Sequence, residues 1–279
     1  MLDRAYCKIN LALDIVSERE DGYHDLRSIM VPCDFYDELE IVKSDRTEYS
    51  CDRRYLHFDE NNTVVKALEL MKKEYDIKDD FRVSLSKHIP MKAGLAGGSA
   101  DGAAVIRILN NMYSLSLSEE EIRSLCMKIG SDVLFSYYNR PALVEGAGDR
   151  LTFINIKDDY NVLIIKPRNG VSTRECYEAL DMKDCIHPDI DLIREKLEKG
   201  EEVKHLLKNS LEAPAVSLCK EIETTLKDLK EAGADFAMVS GSGSGVFTID
   251  KDKDRIRAIR ERLTGKNYFI RSTRIMKQD

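Results

Sequence analysis

The spacing that would bind a structural metal or build a disulfide framework is missing from this sequence. Its seven cysteines, an odd number, include no C-x-x-C pair, and its five histidines stand isolated. A zinc site and a disulfide scaffold are therefore disfavoured, and a reducing compartment fits better. The first residues contain no apolar core of a signal peptide, and no apolar run approaches membrane-spanning length. We therefore expect a cytoplasmic globular protein.

A long basic block is also absent. The chain has 43 Lys and Arg against 50 Asp and Glu, a net charge of −7. We therefore expect no nucleic-acid or membrane partner, and a phosphate ligand would need local donors in a recessed, backbone-lined site. The 279 residues, 43% of them hydrophobic, are enough for two domains with a sizeable core. Composition leaves a monomer and a homodimer equally open.

A glycine-rich segment is the most informative feature that is present. It follows a strand-like run over residues 81–89 and precedes an apolar helical run. Glycines at such a junction let backbone N–H groups approach an anion, and the helix start adds further donors. The spacing is neither that of a Walker-type loop nor G-x-G-x-x-G. The segment alone leaves open a phosphate cradle or a turn capped by its serine; it reads Pro90-Met91-Lys92-Ala93-Gly94-Leu95-Ala96-Gly97-Gly98-Ser99-Ala100.

A second glycine-rich loop, residues 240–245, joins two apolar strand-like runs. By itself it is as well explained by a flexible turn. Two such loops in one acidic chain of this size are more suggestive than either one. The second loop could close over a phosphorylated ligand that the first one binds.

Lys8 and Asp132 are candidates for acid–base chemistry. Residues 7–16 alternate as a strand of period two, so Lys8 and Asn10 share a face about 7 Å apart. Asp132 follows a helix predicted over 118–129, with Ser118 and Glu121 placed as its capping box. The residues alone favour a helix-capping role for Asp132 over a general base. Lys8 is equally open to a solvated role. In one pocket, the lysine could stabilise charge on an alcohol or a transferring phosphoryl group while the aspartate accepts the proton.

The pattern of elements predicts an α+β protein of two domains, residues 1–158 and 159–279, with the boundary in the polar stretch 158–160. A strand is expected over 37–43 in the first domain. In the second, strands over 162–166, 236–239, 246–249 and 268–276, with helices over 215–232 and 253–263, predict a ferredoxin-like split βαβ arrangement.

Three segments together resemble the motifs of the GHMP kinase superfamily: residues 5–11, 90–100 and 239–247. The resemblance implies a small-molecule kinase with ATP as phosphoryl donor and Mg²⁺ as its metal. It also implies an N-terminal domain like the second domain of ribosomal protein S5, followed by the ferredoxin-like domain. Residues 21–26 and 130–133 resemble, more narrowly, the superfamily members that act in the non-mevalonate isoprenoid pathway. These phosphorylate the 2-hydroxyl of a cytidylyl-methylerythritol substrate.

Carried over by position, the resemblance assigns roles to individual residues. It makes Lys8 and Asp132 the catalytic pair, and residues 90–100 the ATP site. Ser99 would lie near the phosphates and Mg²⁺. Asn62 would lie near the nucleotide base. The residues that would contact the cytidylyl substrate are Asn10, Tyr23, His24 and Tyr177. Gly241, Ser242 and Gly243 belong to the second glycine-rich loop, here called the third-motif loop.

Departures from the superfamily pattern remove no named catalytic group. Tyr6-Cys7 replaces a frequent Pro-Ala, and Gly102 is expected to loosen the first helical turn and so affect nucleotide affinity. Another acceptor, such as mevalonate or homoserine, remains a rival within the class. A nucleotide-binding module without turnover is the rival outside it.

Overall fold

The computed structural model describes residues 1–20, 22 and 24–277. These fall into two compact units: unit 1 comprises Met1–Cys7, Phe35–Ile89 and Ala96–Asn139, and unit 2 comprises Lys8–Asp34, Pro90–Leu95 and the chain from Arg140 onward. The predicted domains, 1–158 and 159–279, are each continuous in sequence, whereas each of the two units combines several segments of the chain. The predicted boundary therefore stays a prediction. Within residues 21–26, which carry part of the resemblance, Asp21 and Tyr23 lie outside the described residues.

Two long strands, β1 (Leu2–Glu18) and β2 (His24–Ser44), contribute to both units and pair with each other. The strand predicted over 7–16 is confirmed and extends further at both ends. The strand predicted over 37–43 is the end of a much longer one. Residues 28–33 of β2 are all buried, so this part lacks the alternation that identifies a half-exposed strand.

Unit 1 contains part of the first sheet and a group of helices that contact one another. Strand β4 (Asp80–Ser86) pairs antiparallel with residues 38–44 of β2 and parallel with β3 (Glu48–Cys51). Ser118 and Glu121 form the predicted capping box of α3 (Glu119–Ile129), and Asn62 caps α1 (Thr63–Glu74). The elements after β2 are β3 (Glu48–Cys51), α1 (Thr63–Glu74), β4 (Asp80–Ser86), α2 (Gly97–Met112), α3 (Glu119–Ile129) and α4 (Val133–Tyr138).

Unit 2 contains the predicted ferredoxin-like arrangement. Residues 26–30 of β2 pair with β5 (Ala142–Gly146), and β5 pairs with β6 (Arg150–Phe153). The elements are β5 (Ala142–Gly146), β6 (Arg150–Phe153), β7 (Asn161–Lys166), α5 (Thr173–Glu178), α6 (Ile190–Lys199), α7 (Glu212–Leu218), α8 (Lys220–Glu231), β8 (Met238–Val239), β9 (Val246–Asp250), α9 (Lys253–Arg262) and β10 (Phe269–Arg274). Their antiparallel sheet has the order β10-β7-β9-β8, which confirms the split βαβ prediction.

The single helix predicted over 215–232 is wrong. The chain breaks at Cys219, whose φ of −139° and ψ of 92° are extended, and the two pieces are α7 and α8. The apolar period continues through the break because Ala215, Cys219 and Ile222 are all buried. No Gly or Pro marks Cys219, so local propensity contains no signal for the break.

Among the described residues, no helix is both long enough and apolar enough to cross a membrane.

Candidate active site

Lys8 is buried and held by a chain of hydrogen bonds inside unit 2. It is 4% exposed, which excludes the solvated role left open by the sequence. Its Nζ donates to Asn10 Oδ1 over 2.7 Å, and Asn10 Nδ2 donates to Ser28 Oγ over 2.8 Å. Ser28 Oγ in turn donates to the Ala12 carbonyl over 2.7 Å. Ser28 therefore fixes which end of the Asn10 amide faces the ammonium. The sequence missed Ser28 because it lies on a different strand.

The two glycine-rich loops bind directly to each other within unit 2. The N–H groups of Ser244 and Gly245 donate to the carbonyls of Lys92 and Ala93, each over 3.1 Å. Ser240 Oγ donates to the Gly94 carbonyl over 3.1 Å. An added Cβ at Gly94, where φ is +69°, would lie 1.8 Å from the backbone carbonyl oxygen of Ser240. Glycine at this position is thus required both for the backbone conformation and for the close approach.

The third-motif loop also contacts the buried lysine. A Cβ built on Gly241 would lie 3.2 Å from Asn10 Oδ1 and 3.3 Å from Lys8 Nζ. The Lys8 N–H donates to the Leu95 carbonyl over 3.1 Å, which joins β1 to the end of the first loop. One region of unit 2 therefore contains a buried cation and the backbone of both glycine-rich loops.

Asn209 and Glu212 bind the backbone of the third motif through their side chains. Asn209 Nδ2 donates to the carbonyls of Val239 and Gly241 over 2.9 and 2.8 Å. Glu212 Oε2 accepts the Val239 N–H over 2.9 Å, and burial raises the pKa of its carboxyl. Sequence reasoning missed both residues. In the sequence they are two polar residues at or just before the start of a short helix, a pattern that is typical of many surface segments.

The part of the glycine-rich segment 90–100 that lies in unit 1 begins helix α2. Its N-cap is Ala96, with φ of +54° and no side-chain cap bond, so the alternative of a turn capped by Ser99 is wrong. Ser99 lies in the first turn, partly exposed. Gly102 admits a close approach, because an added Cβ would lie 3.2 Å from the Thr63 carbonyl. Asn62 uses its amide locally: Oδ1 accepts the Val64 N–H, and Nδ2 donates to the His57 carbonyl.

Asp132 occupies the N-cap position of α4, but its side chain makes no cap hydrogen bond. The capping role that the residues alone favoured is therefore not what the side chain does. Asp132 is half-buried and belongs to unit 1, whereas Lys8 belongs to unit 2. Their meeting stays a prediction.

His24 and Tyr177 lie together in unit 2. Their ring centroids are 5.1 Å apart and their planes are tilted by 43°. A base stacked between two rings needs about 7 Å between them, twice an ordinary contact distance. A cytosine could stack on this pair from outside, or between the rings only after they separate. Tyr23, the third residue predicted here, lies outside the described residues.

No group of three or more His, Cys, Asp or Glu side chains within residues 1–20, 22 and 24–277 is arranged to hold a metal ion. Magnesium in kinases is held largely by substrate phosphates with one or two protein oxygens. The Ser99 hydroxyl in the first turn of α2 fits that role.

The chain matches family models of the GHMP kinases in both halves. Residues 62–140 match "GHMP kinases N terminal domain" and residues 182–268 match "GHMP kinases C terminal". The homoserine kinase of Cytophaga hutchinsonii is similar in fold at 16% identity, with a TM-score of 0.71 over 98% of this chain and 94% of that one. The two family models place the chain among the GHMP kinases, and the likeness to the homoserine kinase shows a shared fold.

Sequence similarity narrows the class. The chain is 38% identical to 4-diphosphocytidyl-2-C-methyl-D-erythritol kinase of Clostridium beijerinckii over 89% of this chain and 90% of that protein. The Bacillus subtilis enzyme of the same name is 35% identical over 95% and 93%. A crystal structure of 4-(cytidine 5'-diphospho)-2C-methyl-D-erythritol kinase is 28% identical, with a TM-score of 0.81 over 99% of this chain and 100% of that one. The chain belongs to the 4-diphosphocytidyl-2-C-methyl-D-erythritol kinase family.

Proposed function

We propose that this protein transfers the γ-phosphoryl group of ATP to the 2-hydroxyl of 4-(cytidine 5'-diphospho)-2-C-methyl-D-erythritol. Family membership supports the reaction class and the acceptor. The observation that carries the proposal is the buried Lys8 ammonium beside Gly241, in the region where the two glycine-rich loops join. A cation fixed beside backbone donors is suited to the charge that develops during phosphoryl transfer.

In this mechanism Lys8 stabilises negative charge on the transferring group and on the acceptor oxygen. Asn10 and Ser28 keep its ammonium aligned, so little reorganisation is needed during the reaction. Asp132 accepts the proton of the 2-hydroxyl. The oxygen of the acceptor bonds to phosphorus as the bond between the γ-phosphorus and the bridging oxygen of ADP breaks.

The remaining assignments concern binding. Residues 90–100 hold the polyphosphate, with Ser99 beside Mg²⁺, which would neutralise phosphate charge when bound. Tyr23, His24 and Tyr177 bind the cytosine, and Asn62 lies near the base of ATP. Because Asn62 caps α1 with its amide, we expect its part in base recognition to come through the position of that helix start. We also propose a cytoplasmic location, which fits cysteines without disulfide spacing.

A panel of acceptors tests the proposal. The purified protein is incubated with ATP, Mg²⁺ and either the cytidylyl acceptor, mevalonate or homoserine, and products are identified by phosphorus NMR. We expect a new phosphomonoester only with the cytidylyl acceptor. Phosphorylation of mevalonate or homoserine alone would overturn the acceptor assignment, and nucleotide binding without any transfer would favour a non-catalytic module.

A further inference from the structure

Asp37, Lys87 and Asp101 form a buried charged cluster in unit 1, here called the buried triad, which the mechanism above does not use. Their exposures are 0%, 3% and 3%. The Lys87 ammonium donates to Asp37 Oδ2 and, over 2.7 Å, to Asp101 Oδ2. Burial lowers the pKa of Lys87, but the two carboxyl groups outweigh that effect and raise it overall, so the lysine stays charged. Desolvation of three buried ionisable groups offsets much of their mutual attraction, so a gain in stability does not account for the triad.

Asp37 fixes the backbone immediately before the glycine-rich ATP segment. Its Oδ1 accepts the N–H groups of His88 and Ile89, over 2.5 and 2.8 Å. Ile89 directly precedes Pro90, the first residue of the segment. The same carboxylate therefore holds both the Lys87 ammonium and the point where the segment starts.

Asp101 ties the other end of the segment to the same lysine. It lies on α2, one turn beyond Gly97, where the helix begins. Lys87 Nζ lies so close to this start that a Cβ built on Gly97 would be 2.9 Å from it. Asp101 Oδ1 is buried and makes no hydrogen bond within the described residues. Buried polar atoms without a hydrogen bond are rare in folded proteins.

We propose that Asp37, Lys87 and Asp101 are positioning residues for nucleotide binding, because together they fix both ends of the glycine-rich segment. This rests on the proposed assignment of residues 90–100 to the ATP site. A glycine-rich chain loses much conformational freedom when it binds a polyphosphate. Fixing its ends beforehand reduces that loss and so raises affinity for the nucleotide.

The test compares Asp101→Ala, which cuts the tie to α2 but keeps the Lys87–Asp37 pair, with Asp101→Asn, which retains an oxygen acceptor for Lys87. Binding of a non-hydrolysable ATP analogue with Mg²⁺ is measured by calorimetry on the full chain. We expect Asp101→Ala to weaken binding five- to tenfold and Asp101→Asn to stay within twofold of the unsubstituted protein. Asp250→Asn removes a carboxyl group that is 8% exposed and paired with Lys204 in unit 2, and should leave binding unchanged.

Kinetics separate positioning from a purely structural role. In Asp101→Ala we expect the KM for ATP to rise while kcat at saturating ATP and the KM for the acceptor stay unchanged. A folded Asp101→Ala protein with full nucleotide affinity would overturn the proposal, as would an Asp101→Asn protein that binds as weakly as the alanine variant. Asp37→Asn has one oxygen where Asp37 uses two, one for Lys87 and one for the N–H groups of His88 and Ile89. It should therefore also weaken binding five- to tenfold, and it serves if Asp101→Ala does not fold.

The calorimetric measurement needs no acceptor. A chain that binds the ATP analogue but does not phosphorylate the cytidylyl acceptor would therefore refute the proposed reaction and leave the comparison of the triad variants intact. Wild-type binding in every triad variant, together with normal phosphorylation, would refute only the positioning role.

Discussion

The Lys8 ammonium and the Asn10 amide oxygen are joined by a buried hydrogen bond of 2.7 Å between two residues on the same face of β1. Strand periodicity put the two side chains next to each other. The third-motif loop, more than 200 residues later in the chain, brings Gly241 against both of them. The pair is thus the point at which the first and third motifs meet.

Replacing the lysine tests its role in the reaction. We expect Lys8→Met to lower kcat by about 10²-fold or more, because removing one preorganised donor to developing charge has an effect of that size. Methionine keeps most of the apolar stem but leaves the buried Asn10 oxygen without this donor, so the midpoint of thermal unfolding should fall by a few degrees while the protein stays folded. Lys43→Met, which removes an exposed lysine paired with Asp79, is the control and should retain full kcat. Equal activity in the two variants would refute the role of Lys8.

The docking of the two loops is tested by adding one methyl group. Gly94→Ala forces a Cβ against the Ser240 carbonyl, and we expect it to lower the free energy of unfolding by about 3 kcal/mol, the sum of overpacking and an unfavourable φ. Gly265→Ala is the matched control, since its φ is +90° but nothing lies within 4 Å of the added Cβ. It should cost only about 1 kcal/mol. Urea unfolding measures both, and equal costs would contradict the described contact.

The buried Glu212 predicts a pH dependence of stability. Its pKa is raised in the folded protein above the ordinary value of 4.5, mainly by burial. Folding therefore favours the protonated form, and this contribution to stability is lost as the pH rises from about 4.5 through the raised value. Glu212→Gln keeps an oxygen for the Val239 N–H and has no charge to bury. We expect its advantage over the unsubstituted protein, measured by urea unfolding, to grow with pH across that window. A constant difference would show that Glu212 is not the group responsible.

Tyr177 beside His24 predicts a selective effect on the acceptor. We expect Tyr177→Ala to raise the KM for the cytidylyl acceptor about tenfold, because base–aromatic stacking contributes about 1–3 kcal/mol. The KM for ATP should not change. Tyr55→Ala, at a residue that is 60% exposed in unit 1, is the control and should affect neither constant. A rise in the KM for ATP alone would contradict the assignment of this ring pair to cytosine.

The elements that the sequence predicted well are those with local signals. The period of residues 7–16 is visible in β1, the Ser118 and Glu121 spacing defines the start of α3, and the strand and helix pattern of the second half predicts the sheet order of unit 2. The break at Cys219 was missed because no local propensity marks it.

The parts of the site that were missed depend on contacts between distant segments. Ser28 on β2 accepts a hydrogen bond from Asn10 on β1. Asn209 donates to the carbonyls of Val239 and Gly241, which lie 30 and 32 residues later in the sequence. Lys87 lies 50 residues from Asp37. Serine, asparagine and lysine are common on surfaces, so only the fold distinguishes these buried side chains from solvated ones.

In the proposed mechanism, Lys8 and Asp132 act together on the acceptor hydroxyl beside the γ-phosphate. A crystal structure with Mg²⁺, a non-hydrolysable ATP analogue and the cytidylyl acceptor measures this directly. We predict that Lys8 Nζ and an Asp132 carboxylate oxygen both lie within about 3.2 Å of the 2-hydroxyl or of a γ-phosphate oxygen. A ternary complex in which either side chain lies outside hydrogen-bonding reach of the reacting atoms would contradict the proposed mechanism.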